Sequence, residues 1–131
     1  MKHILLVEPD VLLATTYNKA FIHSGYEVSH VTTGQAAIDA ADSMSPDLIV
    51  LELQLPAHNG LEFLYEFRSY PEWQIVPVIT NTNIPFQQLG SAWSVVHDQL
   101  GIRAWHYKPQ TTLQILLRSV REQLLPPQES G

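Results

Sequence analysis

Short, near-continuous apolar runs recur along the chain and alternate with stretches of helical period. Ile4-Leu5-Leu6-Val7, Leu48-Ile49-Val50-Leu51 and Val76-Pro77-Val78-Ile79 are such runs. They suit strands buried on both faces of a parallel sheet. Tyr26 to Val31 alternates more, as an edge or half-covered strand does, and Ile102 to Tyr107 has the weakest pattern of the five. Between the runs, Leu13, Tyr17, Ala20 and Phe21 share one helical face, as do Leu89, Trp93, Val96 and Leu100. Leu113, Leu116, Leu117, Val120 and Leu124 fall on another. The stretch around Ala36, Ala37, Ile38 and Ala41 is helical by composition, with Thr33 placed to cap it. Gly25, Gly34, Pro46, Gly60, Pro71 and Gly101 punctuate the changes of period. Strand and helix repeated in this order predict an α/β domain, a parallel sheet with helices on both faces.

A chain of 131 residues is long enough to bury a core without disulfides or metals. The folded unit is expected over residues 1–125, with 126–131, rich in proline and polar residues, as a flexible tail or the start of a linker. Net charge −6 and only seven scattered Lys and Arg exclude a phosphate-binding surface of the kind nucleic acids require. Cysteine is absent, which removes disulfides, thiolate metal sites and a thiol nucleophile. No run approaches membrane-spanning length, and the first apolar run is too short for a leader. A cytoplasmic location is the expectation. The six histidines show no metal-ligand spacing.

In an open α/β sheet, function collects at the carboxyl ends of the strands. That rule selects Glu8-Pro9-Asp10 after the first run, Glu52 after the third, Thr82 after the fourth and Lys108-Pro109 after the fifth. Thr32-Thr33-Gly34 follows the second. Carboxylates, a hydroxyl and an ammonium are thereby expected on one rim.

These segments resemble the response-regulator receiver family of two-component signalling. Ile4 to Glu8 is similar to its first strand and leading acid, and Pro46 to Pro56 with Asn59-Gly60-Leu61-Glu62 to its phosphoacceptor strand and following loop. Pro77 to Thr82 is similar to the strand ending in the switch hydroxyl, and Lys108-Pro109 to the family's Lys-Pro. The resemblance runs from Lys2 to about Leu124. It implies a CheY-like, flavodoxin-like (βα)5 domain with strand order 2-1-3-4-5. It also implies a magnesium site, an aspartyl phosphate, a Thr and aromatic switch, and a cis peptide before Pro109. The implied output face is formed by the fourth helix, fifth strand and fifth helix. There Trp93, Trp105 and His106 are the expected interaction residues, with a histidine kinase, an output protein or a second copy as partner.

Two positions depart from that pattern. Glu52 stands where the family has its phosphoacceptor aspartate, and Pro9 where it has a second magnesium-binding acid. Glutamate carries its carboxylate roughly 1.5 Å further from the backbone. A nucleophile displaced by about 1 Å can lose about 10²-fold in rate. Pro9 withdraws a hard oxygen ligand from a site demanding near-octahedral geometry. Glu8, Asp10 and Glu52 remain only weak metal candidates, so no cofactor is expected and magnesium binding is expected to be weak or lost. Lys108 against Glu8 and Glu52 gives net −1, and a direct Lys108–Glu52 pair is the expected replacement for metal. Trp105 takes the aromatic switch position. The separation of Thr82 and Lys108 exceeds the family's, with the extra residues placed around Pro85 to Gln88.

The functional expectation is an atypical receiver, not an enzyme, acting mainly through phosphorylation-independent protein binding. Two forms of it stand open: Glu52 mimics an aspartyl phosphate, or the site is inactive and the fold is kept for its binding face. The alternative is a working receiver that takes phosphate from a histidine kinase on this unusual carboxylate. A phosphohydrolase would need Asp-x-Asp after the first strand. A flavodoxin would need a Ser/Thr/Gly-rich loop where Glu8 and Asp10 put negative charge. Local readings also stand: Thr82 as the cap of a turn with Asn81 and Asn83, and Trp105 as a packing residue.

Overall fold

The computed structural model describes residues 1–125; the expectation of a tail over 126–131 lies outside the described residues. The elements are β1 (His3–Val7), α1 (Val11–His23), β2 (Glu27–Val31), α2 (Gly34–Ser43), β3 (Leu48–Leu51), α3 (Gly60–Arg68), β4 (Val78–Thr82), α4 (Trp93–Asp98), β5 (Ile102–Tyr107) and α5 (Leu113–Leu124). All strand pairs are parallel, in the order β2-β1-β3-β4-β5, the doubly wound CheY-like order that the resemblance implied.

Alternation along the central strands divides the interior into two cores. Leu5, Val7, Ile49 and Leu51 face α2, α3 and α4, packing on Ala37, Phe63, Phe67, Trp73 and Val96. Ile4, Leu6, Leu48 and Val50 face α1 and α5, against Tyr17, Phe21, Leu116 and Val120. The helix starts follow capping chemistry. Asp10, Thr33, Asn59 and Thr112 each accept a hydrogen bond from the backbone N–H three residues on.

Register is what builds the rim. Val7 lies beside both Val31 and Leu51, so Glu8 and Glu52 leave the sheet as neighbours. Thr82 pairs with Tyr107, which delivers Lys108 at the same level.

Three expectations are corrected. The fourth strand is Val78–Thr82: it starts two residues into the apolar run Val76 to Ile79, because Pro77 has no N–H for the ladder, and three polar residues carry it to the Thr82 end that the resemblance implied. Each finds a partner. Thr80 Oγ1 donates to Ala104 O, Asn81 Nδ2 donates to the Tyr17 hydroxyl, and Thr82 Oγ1 accepts from Ile84 N.

The second correction concerns the apolar face from Leu89 to Leu100, which is not one helix. Turns of 3-10 type at Phe86–Gln88 and Gly90–Ala92 precede a six-residue α4. Gly90 at φ +52° interrupts the helical path, yet all four apolar side chains still reach the same core. The third is that the Lys108–Pro109 peptide is trans, and no cis peptide occurs among the described residues. None of the described helices is long and apolar enough to cross a membrane.

His106, on the β5 edge, shares a 2.8 Å hydrogen bond with Ser119 of α5. Burial pushes its imidazole below the ordinary histidine value, partly offset by Glu122. The unfolded chain therefore takes up this proton more readily. The stabilisation is complete above about pH 6.5 and falls as pH drops through the lower folded value. The difference in thermal midpoint between the parent and His106→Gln should shrink from pH 7.5 to pH 5.5. A constant difference across that range contradicts this assignment.

Candidate functional site

Lys108 closes the rim. Its Nζ lies 2.7 Å from Glu8 Oε1 and 3.0 Å from Glu52 Oε1. The second oxygen of each carboxylate accepts a backbone N–H two residues on: Asp10 N at 3.1 Å from Glu8 Oε2, and Gln54 N at 3.2 Å from Glu52 Oε2. All four carboxylate oxygens are thus partnered. The side chains of Glu8 and Glu52 are 2% and 3% exposed and that of Lys108 is 11%, so water screens this triad little. Burial by itself would lower the Lys108 ammonium. Hydrogen bonds and charge from Glu8 and Glu52 outweigh it and hold the group above the ordinary lysine value.

The two acids are held through their backbones as well. Glu8 N donates to Val31 O and Glu52 N to Val7 O, both at 3.0 Å, while His30 Nε2 donates to Glu8 O at 2.8 Å. After Glu52 the chain is pinned by Gly60, whose N–H donates to Leu53 O at 2.7 Å. A Cβ on Gly60 would lie 2.8 Å from Leu53 Cα and 3.2 Å from Glu52 O, so only glycine allows this approach. Beneath the triad, Tyr17 receives the Asn81 amide at 2.9 Å; burial pushes its hydroxyl upward, with Asn81 and Lys108 opposing.

Glu8, Pro9, Asp10, Glu52, Lys108 and Pro109 line one open depression, which brings the expected carboxylates and ammonium together without the Thr82 hydroxyl. Asp10 is at its edge and does not join the triad: its Oδ1 caps α1 by accepting from Leu13 N. Thr82 is fully buried, and the partner found for its hydroxyl is Ile84 N at 3.2 Å, not Glu52 or Lys108. Trp105 donates from Nε1 to Ile84 O at 3.0 Å. Phe86 joins Trp105 to Trp93 through edge contacts, with ring centroids 6.2 and 5.0 Å apart. His106 leans the other way, onto Ser119, yet it and Trp105 flank one groove along the β5 edge with Phe86, Tyr107 and Ile115.

Sequence reasoning paired Lys108 with Glu52 alone; the shorter contact to Glu8 was missed. The charge count already contained that signal, since two acids opposed one lysine. The roles of His30, Gln54 and Tyr17 had no such signal, because they depend on strand register.

A doubly wound five-stranded domain with an acidic rim closed by a strand-five lysine defines a class of signalling domain. The response regulator receiver domain family matches residues 4–89, more than half of the chain, and the chain belongs to that family. It is a receiver domain of two-component signalling. The polar-differentiation response regulator DivK of Brucella ovis is 33% identical over 81 residues, covering 62% of this chain and 66% of that protein, just under two thirds. The chemotaxis response regulator CheY4 of Vibrio cholerae superposes with a TM-score of 0.83 at 21% identity, covering 95% of this chain and 99% of that one. The non-phosphorylated HemR receiver domain of Leptospira biflexa gives 0.79 at 26% identity over 98% and 99%.

Removing the lysine would leave two buried carboxylates facing each other without a counter-charge. Lys108→Ala should therefore cost about 3–5 kcal/mol in urea unfolding. Glu8→Gln should cost less, because one carboxylate still pairs the ammonium. Equal losses from the two variants would mean the shared ammonium is not the dominant contact.

Proposed function

We propose that this receiver acts mainly without phosphoryl transfer, by binding a signalling protein or a second copy of itself through the α4–β5–α5 face. The observation carrying this reading is the Lys108 ammonium seated between Glu8 and Glu52, with every carboxylate oxygen already partnered. A phosphoryl donor would need Glu52 to give up its bonds to Lys108 and Gln54. The longer glutamate would then have to attack from a position its extra methylene displaces.

Magnesium fits this donor set poorly. Pro9 supplies no ligand, Asp10 is engaged at the start of α1, and the two remaining carboxylates surround a cation of the protein's own. Octahedral coordination would require displacing that ammonium. Weak or absent magnesium binding is part of the proposal.

Between the two forms of the reading, the Thr82 hydrogen bond to Ile84 favours an inactive site over phosphate mimicry. A mimic would draw the hydroxyl towards Glu52. The domain would then be a binding module and not an enzyme, working in the cytoplasm beside a histidine kinase or an output protein. Phe86 and Ile115, 42% and 41% exposed, leave apolar surface on the β5 edge for such a partner.

Incubation with a small phosphodonor and magnesium, followed by intact mass, tests the mechanism. The parent should gain no phosphoryl group, whereas a Glu52→Asp, Pro9→Asp double variant should gain one. Phosphoryl found on Glu52 of the parent would establish the working-receiver alternative. Calorimetry with magnesium at neutral pH should show no tight binding. For the interface, Phe86→Ala with Ile115→Ala should weaken self-association or kinase binding at least tenfold while moving the thermal midpoint little. Unchanged association by ultracentrifugation and pull-down would remove this face from the proposal.

A further inference from the structure

At the opposite end of the sheet, where β5 begins, the fold brings together two of the seven basic residues of this acidic chain. Arg68 ends α3 and Arg103 sits at the register shift between β4 and β5. With Gln74 and Gly101 they line a small depression of about 270 Å3.

Arg68 is fixed in place. Its Nε donates to Leu100 O at 3.0 Å and its Nη1 to Trp73 O at 2.6 Å, and the guanidinium lies 5.6 Å from the Phe67 ring centre. Gly101, at φ +71°, has room for no Cβ, which would overlap Arg68 Nη2. Both carbonyl partners are neutral, so the charge itself is not cancelled. Among the described residues neither arginine has a carboxylate within ion-pair distance, and neither Arg68 Nη2 nor the Arg103 guanidinium has a hydrogen-bond acceptor. Burial and the nearby Arg103 charge together make the Arg68 guanidinium less basic than usual, a sign that two cations crowd one another.

Opposing features are present. The carbonyl end of α4 and Asp98 border the same depression. Arg68 already answers the carbonyl of Leu100, and the Asp98 carboxylate lies 3.0 Å from His97 Nδ1. Two guanidiniums without an anion remain.

We infer that this depression binds a phosphate-sized oxyanion between Arg68 and Arg103, with the second N–H of the Gln74 amide, whose nitrogen also donates to Arg68 O at 3.5 Å, as a third donor. Donors arriving from three separate segments suit a tetrahedral oxyanion better than a flat carboxylate. The volume admits a phosphate group, free or at the end of a larger molecule. Occupation would relieve the repulsion between the arginines and brace the α3, α4 and β5 junction.

The 15N-labelled chain titrated with sodium phosphate, against sodium chloride at matched ionic strength, tests the site. Saturable shifts are expected at the Gly101 and Arg103 amides and at Arg68 Nε–H, with a rise in thermal midpoint that chloride does not give. Arg103→Gln should weaken phosphate binding about tenfold or more, Arg103→Lys by an intermediate factor. Arg118→Gln, on α5, should match the parent. Equal shifts with chloride, perturbations spread evenly over Lys2, Lys19 and Arg118, or undiminished binding by Arg103→Gln would each overturn the inference. Acetate binding as tightly as phosphate would overturn the tetrahedral assignment. Arg68 is left intact throughout, since its bonds to Leu100 and Trp73 also hold the fold.

Discussion

Lys108 is the residue through which three strands meet. It follows β5, Glu8 follows β1 and Glu52 follows β3, so one ammonium ties the carboxyl ends of the central and edge strands across the rim. A buried ion pair is weak evidence for stability in itself, because the desolvation of its members consumes most of the attraction. Here the exchange is improved by geometry. Each carboxylate uses one oxygen for the ammonium and the other for a backbone N–H, so desolvated lone pairs are answered by fixed donors. The net charge of the triad is −1, carried by groups that are almost wholly buried. That residual charge explains why the arrangement needs every one of these donors and why the loops supplying them are so constrained. Gly60 against Leu53 and Glu52 is one such constraint.

The extra methylene of Glu52 acquires a positive purpose in this geometry. Glutamate reaches an ammonium that also contacts Glu8, and its second oxygen still returns to Gln54 N. Aspartate would lie roughly 1.5 Å further back, short of one of those partners unless the lysine moved. The added reach of the glutamate therefore serves a structural bridge. Pro9 belongs to this arrangement too. It contributes neither charge nor N–H between Glu8 and Asp10, so the Glu8 carboxylate accepts from Asp10 N and no further acid competes for Lys108.

How much of this could be read from the residues follows from what each element depends on. The central strands declared themselves because burial on both faces demands uninterrupted apolar residues, as in Leu48 to Leu51, all buried. The apolar run marks only the start of β4, because its last three residues, Thr80-Asn81-Thr82, are polar and buried, and its end is legible only through the resemblance at Thr82. Its eligibility depends on Ala104, Tyr17 and Ile84, residues that only the tertiary fold supplies. The face from Leu89 to Leu100 misled for the converse reason. Its apolar spacing serves burial correctly, but Gly90 lets the backbone reach that burial through tighter turns. For the site, the residue types and their strand ends were legible through the resemblance. The sharing of Lys108 was legible only as a charge count of two acids against one lysine, since the contacts themselves depend on strand register that the sequence does not display.

Thr82 and Trp105 converge on a single residue. The Ile84 N–H donates to the Thr82 hydroxyl, and the Ile84 carbonyl accepts from the Trp105 indole. Thr82 is buried at the end of β4 and Trp105 borders the β5-edge groove, so Ile84 is a segment bonded to both. Any rearrangement that turns the Thr82 hydroxyl towards Glu52 gives up a hydrogen bond worth about 1 kcal/mol and releases the backbone that holds the indole. Spatial intermediacy alone does not establish coupling. Two directed bonds on opposite sides of one residue make Ile84 a shared support of both side chains, beside the direct pairing of Thr82 with Tyr107 in the sheet. While Lys108 keeps Glu52 occupied, nothing at the rim draws Thr82 away from that bond. Trp105, Phe86 and Trp93 pack on one another along the groove, Phe86 meeting both indoles edge-on.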